Sequence, residues 1–120
     1  MFRLFDHEKD LPIINAWARA YKLPETTREH LPTYGVISDH VAGFLYCTDS
    51  AVVILDNVIG KRYDHTEADL DQLVEALEAL ARSLGYKYII AHSEKFPVMQ
   101  LGKRHGYHVR AKFSQLSKVL

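Results

Sequence analysis

The sequence contains a single cysteine, Cys47, which excludes an internal disulfide and agrees with a reducing compartment. Its 15 basic and 15 acidic residues cancel, so no overall charge draws the chain to nucleic acid or to an anionic membrane. The longest apolar run covers residues 51–55, far short of the roughly 20 residues that span a bilayer. The first residues also lack the apolar stretch of a signal peptide. These absences predict a cytoplasmic protein without a membrane segment.

Patterns typical of metal sites are missing as well. The seven histidines show no His-x3-His spacing, and one cysteine cannot supply a Cys-x2-Cys pair. We therefore expect surface histidines and no metal site. The chain has 120 residues with 48% hydrophobic content, which predicts one compact domain over residues 1–120.

Strand and helix patterns alternate along the chain without internal repeats. Residues that favour β-structure predict strands at 2–5, 33–38, 41–48, 51–55, 86–92 and 107–116. Apolar residues at helical spacing predict a first helix that starts at Asp10 with Pro12 in its first turn and ends before Leu23. Further helices are predicted at 66–84 and 96–105, with a short helical turn at 26–31. The strand–helix–strand stretch from 51 to 91 predicts a right-handed crossover between two parallel strands.

Three segments resemble the GCN5-related N-acetyltransferase (GNAT) superfamily. Residues 73–85 are similar to its long central helix and the glycine that ends it. Val41-Ala42-Gly43-Phe44 resembles its hydrophobic-Gly strand, and Leu101-Gly102-Lys103-Arg104-His105-Gly106-Tyr107 resembles its late helix ending in Gly-Phe. The resemblance covers nearly the whole chain, although the matching positions are mostly apolar or capping residues.

The resemblance implies an α/β (α+β) domain with the acyl-CoA N-acyltransferase-like fold. That fold has a mixed, mostly antiparallel sheet with one parallel β-α-β unit and helices on both faces. In this superfamily, strands four and five splay apart to open the acyl-CoA cleft. The alignment places residues 56–59 and 91–93 along that cleft here.

The phosphate-binding loop of the superfamily has no counterpart in this sequence. Relatives carry Arg/Gln-x-x-Gly-x-Gly/Ala before the long helix, whereas no glycine occurs here between Gly60 and Gly85. Thr66 and Asp69 instead predict a capping box, in which side chains satisfy the free amides of the helix start. Glu67 and other acids nearby would repel a diphosphate. Lys61-Arg62, just upstream, could still hold phosphate through side chains.

The tyrosine that protonates the leaving thiolate in many relatives is also missing. Its position falls on Gly102, and the asparagine that accompanies it falls on Lys95. Tyr107, His105 or water would have to replace the tyrosine as the acid.

These departures favour a GNAT-like domain with a degenerate acyl-CoA site that acts as a binding or assembly protein, with no cofactor expected. Small bacteriophage proteins of this fold, including internal virion components, are similar in length and in what they lack. The expected partner is therefore a protein and not nucleic acid, and virion association or a dimer is compatible with the sequence.

The alternative is an N-acetyltransferase that uses acetyl-CoA and acts on a primary amine by direct transfer. In that case the resemblance implies Asp56 or His92 as acceptor of the amine proton. Asn57 or the Ile59 backbone would guide the acyl carbonyl, with Lys61 and Arg62 beside the phosphates.

Overall fold

A computed structural model describes residues 1–93, 96–110 and 116–120. Within them, the elements are, in chain order, β1 (Arg3–Leu4), α1 (His7–Ala20), a 3-10 turn (Arg28–His30), β2 (Tyr34–Ile37), β3 (Val41–Tyr46), β4 (Val52–Gly60), α2 (Glu67–Ser83), β5 (Tyr88–Ala91) and α3 (Phe96–Arg104). None of the helices in these residues has the length and hydropathy needed to cross a bilayer.

The five strands form one sheet in the order β1-β2-β3-β4-β5. Neighbouring strands are antiparallel except for β4 and β5, which are parallel and joined through α2. This confirms the predicted mixed sheet with one β-α-β unit.

Side chains alternate across the sheet and build two cores, one under each long helix. Val36, Val41 and Leu45 meet Leu73 and Leu77 of α2 on one face. Their neighbours in sequence point the other way, into a core under α1 that consists of Phe5, Ile14, Trp17, Leu31, Ile37, Ala42 and Phe44. Because side chains alternate between the faces of a strand, this pattern confirms helices on both faces of the sheet.

The first helix begins earlier than predicted. Asp6 is its N-cap, and its carboxylate accepts hydrogen bonds from the amides of Glu8 (3.0 Å) and Lys9 (3.2 Å). The predicted start at Asp10 and Pro12 was therefore wrong, because Asp6 supplies the stronger cap and Pro12 is accommodated inside the helix.

Two strands also differ from the predictions. β4 continues to Gly60, five residues beyond the predicted end at Leu55. At the C-terminal end, residues 107–110 and 116 are not in a strand, and the rest of the predicted last strand, 111–115, lies outside the described residues.

The long helix α2 starts as predicted. Thr66 and Asp69 form a capping box, with the Asp69 amide donating to Thr66 Oγ1 at 3.2 Å and the Thr66 amide donating to Asp69 Oδ2 at 2.8 Å. Gly85 follows the helix with φ +89°, the left-handed conformation that a helix C-terminus favours. The β4–α2 connection therefore ends in a helix start whose first-turn donors are partly used.

Candidate active site

The sheet opens between its two parallel strands. β5 pairs with only the first part of β4, from Val52↔Tyr88 to Leu55↔Ala91. Residues 56–60 of β4 continue beside β3, but in the described part of the chain they have no partner strand on the β5 side. As far as the described residues show, this half of β4 presents an open backbone edge, the kind of edge that can pair with an extended, amide-bearing ligand.

A bulge shapes the open half of β4. Ala42 pairs with Ile59 and Phe44 pairs with Asp56, so β4 contains one more residue than β3 over this stretch. Asn57 lies in the bulge with φ +54°, a left-handed conformation that asparagine tolerates better than most residues. Such bulges re-aim side chains and are frequent next to active sites.

The side-chain amide of Asn57 is fixed in place by a tyrosine of the neighbouring strand. Its Nδ2 donates a hydrogen bond to the hydroxyl of Tyr46, in β3. Burial, and to a lesser degree the Asp56 carboxylate, raise the pKa of Tyr46, so its hydroxyl stays protonated at neutral pH. The phenol can donate a hydrogen bond at this point of the sheet but is a poor base.

Asp56 and His92 lie on the two sides of the opening. Each directly follows a residue of the last β4–β5 pair, Leu55 and Ala91. Both residues are exposed, and the Asp56 carboxylate accepts a hydrogen bond from the backbone amide of Asn57 at 2.8 Å. The two residues that the resemblance implied as proton acceptors thus each follow the last β4–β5 pair, and their roles stay predictions.

A cavity of about 180 Å³ lies between α1 and the bulge of β4. Asn57, Val58 and Ile59 form one wall, and α1 with the loop after it forms the other. It lies on the α1 face of the sheet, because Phe44, which also lines it, belongs to the α1 core. Residues 57–59, which follow the last β4–β5 pair, therefore also line a pocket on the α1 face of the sheet.

Lys61 and Arg62 make contacts that the sequence did not indicate. Lys61 Nζ lies 3.2 Å from Asp64 Oδ2. Arg62 donates to the carbonyl oxygen of Ala20 at 2.6 Å, and its guanidinium stacks over Tyr63 with 4.8 Å to the ring centroid. Arg62 thus links the β4–α2 loop to the end of α1. This helix packs on the face of the sheet opposite to α2. Phosphate binding by these two residues stays a prediction.

The acids at the start of α2 are neutralised by the end of α3. Arg104 donates to Asp71 at 3.0 Å and lies 3.5 Å from Glu67, while His105 Nε2 is 2.8 Å from Asp71 Oδ1. Hydrogen bonds from His105 and from Arg104 hold the pKa of Asp71 below its usual range, and the Thr66 backbone does the same for Asp69. The capping box satisfies the Thr66 and Asp69 amides and leaves those of Glu67 and Ala68 to other partners.

The candidate acids that follow α3 are engaged by acidic residues of α2. Tyr107 is partly buried beside Glu78, and burial together with that carboxylate raises its pKa well above the usual range. Glu78 lies seven residues beyond Asp71 in α2, about 10 Å further from the helix start. His105 is held by Asp71. Gly102 fills the tyrosine position, and Lys95 lies outside the described residues.

Some components of the site could not be found from sequence. Tyr46 gave no signal because it reads as an ordinary aromatic strand residue. The cavity is built from apolar residues that any core would contain. Arg104 and Asp71 are 33 residues apart, and no local pattern joins them. Among the described residues, no group of three or more histidine, cysteine or acidic side chains is arranged to hold a metal ion.

Comparison with known proteins identifies the fold. No family model and no curated protein matches the sequence. Solved structures do match. A Trypanosoma brucei acetyltransferase is similar with 12% identity and a TM-score of 0.74, covering 98% of this chain and 99% of its own. An aminoglycoside N-acetyltransferase in complex with CoA is similar with 13% identity and a TM-score of 0.70, and the match covers 100% of both chains. An N-acetyltransferase from Staphylococcus aureus Mu50 is similar with 14% identity and a TM-score of 0.66, covering 88% of this chain and 81% of its own.

At such identities, a structural likeness establishes the fold alone. The chain has the acyl-CoA N-acyltransferase-like fold, as the sequence predicted, over essentially its full length. What the fold does in this chain depends on the residues of the site.

Proposed function

We propose that this protein is an N-acyltransferase that uses acetyl-CoA and acts on a primary amine by direct transfer. The supporting observation is the opening between β4 and β5: among the described residues the two strands pair only as far as Leu55↔Ala91, and β4 then continues with a bulge at Asn57. The interrupted pairing leaves room for a ligand at the centre of the sheet.

The open edge of β4 fits the acyl donor. Acetyl-CoA supplies a thioester that exchanges its C–S bond for a C–N bond to the amine and releases a thiol. Its pantetheine arm carries two amides, which can pair with the backbone of residues 56–60 as an added strand would. The backbone around Ile59 would orient the acyl carbonyl, and the Tyr46 hydroxyl, fixed by Asn57, can donate to an oxygen or sulfur placed there.

The residues on the two sides of the opening suit proton transfer. A primary amine is mostly protonated at neutral pH and must lose a proton before it attacks. Asp56 attracts the ammonium ion and, like His92 across the opening, can accept its proton directly or through one water. The base passes this first proton to solvent, and the second proton, lost from nitrogen as the amide forms, goes to the sulfur of the leaving thiol, so the reaction balances without another reactant.

The diphosphate of acetyl-CoA fits the structure less well than its pantetheine arm does. The capping box occupies the Thr66 and Asp69 amides, whereas Arg104 offsets the acids around it. Arg104 can also exchange Glu67, which is highly exposed, for a phosphate oxygen. We therefore expect weaker donor binding than a glycine loop would give.

Partner binding without catalysis is the second candidate. The observation that favours it is the capping box itself, because side chains take the place of a bound anion at the start of α2. In that case the cleft has lost its acyl donor, and the protein acts through its surface in binding or assembly.

A transfer assay tests the proposed reaction. Purified protein is incubated with acetyl-CoA and a panel of primary amines, and released thiol and acetylated amine are both measured. We expect amine-dependent thiol release that falls about tenfold or more in Asp56→Asn. Asp49→Asn, a change of an exposed aspartate in the β3–β4 turn, is the matched control and should keep the full rate. Thiol release that does not depend on the amine, or none at all, would argue for the second candidate.

A further inference from the structure

We propose that the cavity between α1 and β4 binds the apolar body of the acceptor amine, and that the acceptor carries one aromatic ring or branched aliphatic group. This inference names the substrate class, and it rests on the proposed function in treating the bound amine as the acyl acceptor. Binding of the amine itself can be measured without any transfer.

The surface of the cavity is apolar. Its inner part is formed by Ile14, Ala18, Leu31 and Phe44, all of which are buried, and its rim by the more exposed Leu23 and Val58. None of the lining side chains in the described part of the chain carries a charge. A ligand with several positive charges would have to leave water without a compensating carboxylate, which is costly. The lining therefore selects against polyamines.

Two asparagine side chains of the lining hydrogen-bond to other protein groups. Asn15 Nδ2 donates to the Thr26 carbonyl oxygen at 3.0 Å, and the Thr26 amide donates to Asn15 Oδ1 at 2.9 Å. The side-chain amide nitrogen of Asn57 donates to Tyr46. Because the Asn15 amide and the Asn57 amide nitrogen are engaged, the lining presents mainly apolar surface to a ligand.

The wall formed by the loop after α1 is held in place. The Leu23 amide donates to the Ala18 carbonyl oxygen at 3.0 Å, with Lys22 in a left-handed conformation that reverses the chain. The Asn15–Thr26 pair fixes the far end of this loop. A preformed pocket loses less entropy when a ligand binds than a pocket that must first be ordered.

The volume sets the size of the ligand. An apolar cavity of about 150 Å³ holds a benzene molecule, so the 180 Å³ found here accommodates one six-membered ring or a branched chain of similar bulk.

Asp56 is positioned to bind the charged end of the ligand. Asp56 directly precedes Asn57 in the cavity wall and pairs with Phe44, whose ring also lines the cavity. A ring seated in the cavity and joined to nitrogen by a short linker would place its ammonium group near this carboxylate. The apolar body of the amine would then lie in the cavity and its ammonium group beside Asp56, next to the cavity wall at Asn57.

The test measures ligand binding first, without acetyl-CoA. Phenethylamine, ethylbenzene and spermidine are titrated into the full chain while chemical shifts are followed by NMR. We expect saturable shifts around Ala18 and Val58 with phenethylamine, weaker binding of ethylbenzene because it lacks the ammonium group, and none with spermidine. Equal binding of phenethylamine and ethylbenzene, or tighter binding of spermidine, would overturn the inference.

Two variants test the location. Val58→Asp places a charge at the cavity rim and should weaken phenethylamine binding about tenfold. Ile13→Asp is the matched control, because Ile13 has similar exposure on α1 but lies outside this cavity, and it should bind as the wild type does. Unchanged binding in Val58→Asp would place the amine elsewhere.

The transfer reaction is then measured separately on the same proteins. Phenethylamine that binds in the cavity but is never acetylated would refute the proposed transferase and leave the binding site standing. Transfer to spermidine in preference to phenethylamine would refute the substrate class and leave the transferase standing.

Discussion

Arg104, the last residue of α3, donates a hydrogen bond of 3.0 Å to Asp71 in α2. In the sequence, the acids at the start of α2 have no lysine or arginine among them. In the structure, the basic end of α3 covers part of this acidic helix start. The electrostatic barrier to an anion at that point is therefore lower than the sequence indicates.

Loss of the Arg104 side chain should weaken donor binding. In Arg104→Gln, Asp71 and Glu67 lose their nearest strong cation, so we expect the Kd for acetyl-CoA to rise about tenfold. Arg82→Gln is the control, because Arg82 pairs with Glu78 near the other end of α2. Calorimetric titration measures both variants. An equal effect of the two substitutions would show that only total charge matters.

Removal of the cap should destabilise α2 by a moderate amount. Thr66→Ala deletes the hydroxyl that accepts from the Asp69 amide, and caps of this kind contribute about 1 kcal/mol. Denaturant unfolding monitored by circular dichroism gives the free energy of unfolding. Thr66→Ser keeps the hydroxyl and should restore most of the loss. A destabilised Thr66→Ser protein would mean that the methyl group, and not the cap, stabilises this position.

The buried Asp10 should make stability depend on acid pH. Its side chain is fully buried and accepts two hydrogen bonds from the Arg3 guanidinium, at 2.7 and 2.6 Å. The hydrogen bonds from Arg3 hold the pKa of Asp10 below its usual range. The folded state therefore binds the proton less tightly than the unfolded chain does, so the stabilisation is complete above about pH 4 and disappears as the pH falls below it.

Comparison with Asp10→Ala isolates this contribution. At pH 7 we expect the variant to be less stable by about 3 kcal/mol, since a buried, hydrogen-bonded group is lost. The difference should shrink as the pH is lowered from 4 towards 2. A difference that stays constant down to pH 2 would contradict the assignment of the charged carboxylate.

The bulge in β4 should tolerate glycine but not valine at position 57. Asn57 has φ +54°, which glycine adopts without strain and a β-branched residue adopts with difficulty. We expect Asn57→Gly to keep the fold, lose the contact with Tyr46 and reduce the transfer rate. Asn57→Val should in addition lower the stability by about 1–3 kcal/mol. Thermal unfolding and the transfer assay, run side by side, separate the two effects. Equal stability of the two variants would mean that the bulge relaxes.

Much of the fold could be predicted because its signals are local. The leucine stripe of α2, its Thr66–Asp69 cap and the terminal Gly85 all lie within one segment, and each was found in the structure as expected. The start of α1 was misplaced because Asp6 and Asp10 are both possible caps. The end of β4 was missed because residues 56–60 are paired on one side only and carry no apolar pattern.

Part of the candidate site was placed by the family resemblance, which put Asp56, Asn57 and Ile59 along the cleft. The structure puts these residues just beyond the last β4–β5 pair, and their roles stay predictions. Contacts between distant segments were not predictable, such as Arg62 with Ala20, which are 42 residues apart. The cavity was not predictable either, since it depends on the distance between α1 and β4 and not on any sequence motif.

Binding of the acyl donor tests the central claim most directly. Acetyl-CoA is titrated into the full chain by calorimetry, and the backbone amide shifts of residues 56–60 are followed in parallel. We expect saturable heat with a Kd on the order of micromolar, competition by free CoA, and shifts concentrated in the open half of β4. No heat up to millimolar acetyl-CoA, with the amides of residues 56–60 unmoved, would contradict the proposed transferase and leave partner binding as the function of this fold.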